Sequence, residues 1–205
     1  MQAAGGNYTG YIPADVVGED GVEYYLWTTD GFNRVTAPSG GAGAPYSIQI
    51  TYGDEGIDPG YDQHSGVTVA DYRLFSVPTD YSGGSGSPAD VLEDDLGDYD
   101  RDVWRLARYQ DGAFVEYTEG AIQDFAPGRS YWLIVGIDGV RLDSGPGRSP
   151  ETSPPCGIAL EPGWNLLACP YPFPVAWHEV IILGENGDLG DDLEDPVTYD
   201  RSEER

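Results

Sequence analysis

Two stretches of this chain repeat one pattern, and that repetition constrains the fold more than any other feature. Gly66-Val67-Thr68-Val69 leads into Tyr72-Arg73-Leu74-Phe75-Ser76-Val77-Pro78, and Gly157-Ile158-Ala159-Leu160 leads into Trp164-Asn165-Leu166-Leu167-Ala168-Cys169-Pro170. Each copy places Leu two residues after the aromatic and Pro four residues after that Leu, and the turns differ by one residue. An apolar run, a turn and an aromatic strand used twice suit a β-sheet scaffold, whose units bury one another's apolar faces. A catalytic centre has no need of such duplication.

Of the 205 residues, 36 are acidic and 10 basic, for a net charge of −26; every basic residue is Arg. Such a charge repels nucleic acid and anionic membrane surfaces, so neither is expected as a partner. It keeps a surface protein soluble, attracts divalent cations and also occurs in salt-rich habitats. Twenty-nine Gly and 16 Pro among 15 Tyr and 5 Trp predict short strands joined by tight turns. No apolar run approaches the ~20 residues of a membrane span. Met1-Gln2-Ala3-Ala4-Gly5-Gly6 lacks the basic and apolar regions of a signal peptide, so an export signal is expected upstream on a longer parent chain.

Residues 1–52 read as three strands, Tyr8–Ile12, Val22–Thr29 and Tyr46–Thr51, with Asp30-Gly31 as a hairpin-type dipeptide. Three strands cannot close a sandwich, so this segment is expected to be part of one. Residues 53–66, acidic and Gly-rich, read as a linker. Residues 67–183 read as a second module. Ser87-Pro88 before an acidic first turn, with Gly97 beyond the end, predicts a short helix. Val103–Tyr109 and Ala113–Tyr117 flank a Gln110-Asp111-Gly112 turn, Ser130–Val135 is the most apolar strand, and Asp138-Gly139 predicts a hairpin with Val140–Leu142. Residues 184–205 read as an acidic tail in which Gly187–Leu193 echoes Leu92–Gly97; the second copy stops before any counterpart of the Trp104 hairpin, as expected of a truncated repeat.

The chain has two cysteines, Cys156 and Cys169. Across a hairpin closed at Glu161-Pro162-Gly163 they fall nearly opposite one another. The Cα separation there is about 5 Å, within disulfide reach. A disulfide would imply an oxidising compartment; the alternative is two buried thiols. The densest carboxylate cluster, Asp94, Asp95, Asp98, Asp100 and Asp102, has oxygen ligands suited to Ca²⁺ but not the spacing of an EF-hand loop, and reads otherwise as a solvated helix end. Ser85 sits in a Gly/Ser loop without the hydrolase-elbow pattern. His64 lies in the linker and His178 stands beside Glu179; neither spacing suggests catalysis. Trp104, Tyr109, Tyr117, Tyr131, Trp132, Trp164, Tyr171, Phe173 and Trp177 could build a sugar-stacking face, although alternation along strands assigns most of them to a core.

Tyr8 to Tyr52 resembles the closing strands of an immunoglobulin-like or fibronectin type III-like module. Three motifs in residues 67–183 resemble a β-rich module found near the C-termini of large exported bacterial proteins. They are aromatic-x-Leu-x-x-x-Pro, Phe-x-Pro-Gly-Arg-x-Tyr-Trp-Leu-Ile (Phe125 to Ile134) and Leu-x-x-Gly-Trp-Asn-x-x-x-x-Pro-x-x-Phe-Pro-Val-x-Trp (Leu160 to Trp177). That module more often carries Gly-Asn where Ala168-Cys169 stands. The resemblance implies an all-β chain: a partial immunoglobulin-like segment, then a β-sandwich-like module with one short helix. It also implies a non-catalytic spacer or adhesion-type role at the cell surface or outside the cell. The expected partners are neighbouring domains of the parent chain and a surface glycan or protein, with no cofactor; a carbohydrate- or Ca²⁺-binding module is the alternative.

Overall fold

The computed structural model describes residues 2–4, 7–18, 21–84, 86–119 and 122–184. The chain divides into two compact units, Met1–Pro174 and Val175–Arg205. The strands in chain order are β1 (Gln2–Ala4), β2 (Asn7–Thr9), β3 (Val22–Tyr24), β4 (Leu26–Thr29), β5 (Arg34–Ala37), β6 (Tyr46–Ile48), β7 (Thr51–Tyr52), β8 (Arg73–Phe75), β9 (Trp104–Gln110), β10 (Ala113–Glu116), β11 (Tyr131–Val135) and β12 (Gly147–Arg148); the α-helix, α1, spans Pro88–Leu96. In the second unit the described residues include one 3₁₀ turn, Trp177–Glu179. The class is β-rich: small antiparallel sheets with one helix.

The body of the first unit is a four-stranded antiparallel sheet in the order β10-β9-β11-β8. Alternation explains its two faces. Trp104 and Leu106 of β9, and Tyr131, Leu133 and Val135 of β11, point inward and are buried. Helix α1 covers this face with Val91, Leu92 and Leu96, and Val77, Ile122, Phe125 and Leu142 complete the core. Aromatic rings meet edge to face within it: Tyr99 on Trp104 at 4.8 Å and Phe125 on Tyr131 at 5.0 Å. The helix begins where local chemistry dictates. The Ser87 hydroxyl accepts the Asp90 amide and donates to the Asp90 carboxylate, and Gly97 ends the helix at φ 77°. The β9–β10 turn puts Asp111 at φ 52° and Gly112 at φ 82°, the two left-handed positions of a type I′ turn.

Residues 21–52 form ribbons rather than one broad sheet: β3 pairs β6 and β4 pairs β5. Strand β5 lies between the strands expected at Val22–Thr29 and Tyr46–Thr51. The β4–β5 connection is closed by Asp30, whose Oδ1 accepts the Phe32 and Asn33 amides at 2.9 and 2.7 Å. These pairings define two-stranded ladders, and the side chains of β4 and β5 are mostly exposed.

The expected linker is instead a strap tied to the body. β7 pairs β12. Ser149 donates its amide to Ile50 O at 2.9 Å and receives the Ile50 amide on its hydroxyl at 2.9 Å. Further along, Ile57 N donates to Ser144 Oγ, Ser144 N to Ile57 O, Gln63 N to Val140 O and Gly66 N to Val135 O. These bonds run within the compact unit Met1–Pro174, across the boundary expected near residue 52. The same bonds displace the predicted hairpin at Asp138-Gly139. β11 already has β9 and β8 as neighbours, its end at Val135 is taken by Ser65 and Gly66, and Val140 turns its carbonyl to Gln63.

Candidate functional site

The second copy of the repeat does not form the predicted hairpin. Asn165 closes its turn through side-chain bonds with Glu161 N at 3.0 Å, Glu161 O at 2.8 Å and Gly163 O at 3.0 Å. Its aromatic strand reduces to one bridge, Leu167 with Arg129. Pro162, Pro170, Pro172 and Pro174 also remove ladder donors in this stretch. Cys156 and Cys169 are consequently not set opposite each other: both are free thiols, Cys156 half-buried and Cys169 exposed. The Cys156 amide donates to Tyr171 Oη at 2.8 Å, and Cys169 Sγ reaches Phe173 O at 3.3 Å. Burial pushes the Cys156 thiol above its ordinary value.

What the second copy meets is the Phe125–Arg129 motif. Arg129 N bonds back to Ala126 O at 3.2 Å, which makes a turn with Gly128 at φ 79°. Gly128 O accepts the Ala168 amide at 3.1 Å, Ser130 N reaches Leu166 O at 3.3 Å, and Ser130 Oγ donates to Leu167 O at 2.8 Å. The Arg129 guanidinium donates to Ala159 O, and Ile158 lies directly over Gly128. The motif is thus a cleat on the sheet that holds the second copy.

The aromatics fall into two sets. Trp104 and Tyr131 are core, with Tyr117 packed against it. Tyr109, Phe114 and Trp132 cross the outer face of the sheet, but tilted against one another: 5.2 Å and 63° for the first pair, 6.4 Å and 81° for the second. A sugar stacks best on a flat ring face, and these rings present edges to each other. Tyr171 and Phe173 do stack, at 4.9 Å and 10°. Trp164 is 71% exposed, and Trp177, in the second unit, 51%.

The carboxylates named from the sequence do not converge. Asp94 Oδ1 accepts the Asp95 amide and Asp100 Oδ1 the Asp102 amide, while Asp95 Oδ2 accepts the amide of Asp143, 48 residues away. Among the described residues no three His, Cys, Asp or Glu are placed to hold a metal ion together. Asp95 and Asp143 are both held above the ordinary carboxylate range. Burial is the first cause for each; Asp95 also feels Asp143, Asp94 and Asp58, and Asp143 feels Asp94, Glu55 and Asp58. This pair escaped the sequence reading because its second member lies just beyond the stretch read as a hairpin, Val140–Leu142, and its neighbours Glu55 and Asp58 lie in one read as linker.

His64 Nε2 lies 3.2 Å from Asp71 Oδ1, and Asp71 Oδ2 accepts the Thr68 hydroxyl at 2.6 Å and its amide at 2.9 Å. The Thr68 bonds, with His64 beside them, hold the Asp71 carboxyl well below its usual range. In this row the carboxylate stands between hydroxyl and imidazole, so the imidazole is not hydrogen-bonded to the hydroxyl it would have to deprotonate; the arrangement caps the 3₁₀ turn Val69–Asp71. His178 sits in the Trp177–Glu179 turn. Ser85 and the echo at residues 187–193 lie outside the described residues. No protein-family model, curated protein or solved structure matched the chain.

Proposed function

We propose that this chain is a non-catalytic structural and interaction module, of spacer or adhesion type, from a larger exported bacterial protein. The observation that carries the reading is the use made of its two most distinctive motifs. Residues 125–130 and 159–168 are bonded to each other through Gly128, Arg129, Ser130 and Ala168, so their polar groups tie one segment of the chain to another. The immunoglobulin-like character of residues 1–52 and the placement at the cell surface belong to this proposal and rest on the sequence resemblance. The glycan-binding alternative has less support, because the outer-face rings are tilted against one another.

Antibodies raised against the folded chain test the placement. Labelling of intact, unpermeabilised source cells is the expected result; labelling only after permeabilisation would overturn it. A glycan array tests the alternative, which gains if binding is lost on Trp132→Ala or Trp164→Ala.

A further inference from the structure

Among the described residues β4 has one neighbour, β5, and its other edge is open. The Asp30 amide donates to Asn33 O at 3.3 Å, and bonded pairs alternate along an antiparallel ladder. Leu26 and Thr28 therefore direct their backbone groups to β5, while Trp27 and Thr29 turn theirs outward. All four β4 side chains are exposed. An edge of this kind is a template for another strand unless charge, proline or a bulge blunts it. The edges of the four-stranded sheet carry such charges: β8 begins at Arg73 and β10 ends at Glu116. Strand β4, Leu-Trp-Thr-Thr, carries none. Strand β5 is guarded by the turn that follows it: the Thr36 hydroxyl donates to Ser39 O, and Gly41 lies against the Thr36 methyl.

We propose that β4 is a self-recognition edge, through which two copies of this chain join antiparallel about a two-fold axis into one sheet ordered β5-β4-β4-β5. With the axis at Trp27, the outward backbone groups of each Trp27 meet those of the other, and Leu26 of each copy lies beside Thr28 of the other on the opposite face. Charge selects this occupant. Residues 24–53 hold one acid, Asp30, and one base, Arg34, in a chain of net charge −26. A basic partner would be drawn to the carboxylate-rich stretch 90–102 instead, whereas a second chain of the same charge can approach only where charge is absent. The ribbon is also fixed before it pairs, which lowers the ordering cost of association. The Arg34 guanidinium lies over the Trp27 ring at 4.7 Å, and Asp30 Oδ1 accepts the Phe32 and Asn33 amides at the tip. Two strands alone are marginal in water, and pairing makes them four.

Sedimentation of the full chain tests the pairing, over about 5 to 500 μM in about 0.5 M NaCl to screen the like charge. The mass is expected to rise with concentration from one chain toward two. Trp27→Ala is expected to weaken the association about thirtyfold, as truncation of a central interface tryptophan does. Phe114→Ala removes a comparably exposed ring from the outer face of the four-stranded sheet, 60% exposed against 56% for Trp27, and is expected to behave like the parent. Amide hydrogen exchange on the parent locates the contact: protection at Trp27 and Thr29 should grow with concentration relative to Leu106 and Leu133 in the body. A single chain at every concentration overturns the pairing and leaves the ribbon to a different partner. So does association in which those two amides gain no protection, or which Phe114→Ala weakens as much as Trp27→Ala. If Trp27→Ala does not fold, the exchange series on the parent decides. The pairing needs no placement at a cell surface, so sedimentation and antibody labelling can fail separately.

Discussion

Gly128 holds φ 79° directly beneath Ile158, so a methyl added there meets both a disfavoured backbone and an occupied space. Gly128→Ala should lower stability by about 2–3 kcal/mol, of which about 1–2 is the left-handed backbone penalty and the rest the clash. Only the second part should disappear in an Ile158→Ala background, and a double-mutant cycle from urea unfolding separates the two. A full penalty surviving in that background would mean that Ile158 does not press on the cleat. At the cysteines, Asn165 bonds Glu161 and Gly163 in the turn between them, and Cys156 and Cys169 are both free, the first half-buried and the second exposed. Thiol labelling of the native chain purified without reductant should therefore modify Cys169 quickly and Cys156 slowly, and a chain that resists labelling until reduced would contradict the free-thiol arrangement.

At the scale of elements, α1 is held open at its start by one reciprocal pair. Ser87→Ala removes both Ser87 hydroxyl bonds to Asp90 and should cost about 1 kcal/mol, read as a lower denaturation midpoint with unchanged slope. This helix was legible from sequence because its signals are local: cap, Pro at the first position, Gly beyond the end. The β9–β10 hairpin was legible for the same reason, through Asp111-Gly112, and β11 through its apolar run. Elements whose partners lie far away were not. Val140–Leu142 carries a turn signal ahead of it, yet the strap takes Val140 and Val135. Residues 53–66 have the composition of a linker, and nothing local announces that Ser144 will accept the Ile57 amide from 87 residues away. Leu166–Ala168 repeats the pattern of β8, but β8 lies beside β11 whereas this copy meets only the cleat. Of the candidate sites, the sequence exposed the motifs but not their mutual contact, and it named Asp95 without its partner Asp143.

For the whole molecule, two sets of carboxylates pull stability in opposite directions with pH. Asp95 and Asp143 have raised folded-state values, so their contribution is fully present below the unfolded value of about 3.9 and is lost as pH rises through the folded one. Asp30, lowered to about 2 by the Asn33 and Phe32 amides, and Asp71, also lowered, contribute above that unfolded value and lose it as pH falls. Stability should therefore decline as pH rises through the raised folded-state values of Asp95 and Asp143, and fall again in strong acid as Asp30 and Asp71 take up protons. With a net charge of −26, salt should raise the melting temperature at pH 7 more than at pH 5. Calorimetry at both pH values checks this, and a salt response equal at the two would refute it.

The junction between β7 and β12 has a mechanical consequence. The chain enters it through Ile50 and leaves it through Ser149, residues that bond to each other at the same end of the ladder. Tension transmitted along the backbone to those two residues would peel the bonds apart one after another instead of shearing them together. The contact then gives way in small steps under light load and re-forms when the load is removed. In a chain tethered at both ends, it would act as a yielding joint that lengthens before the four-stranded sheet is strained.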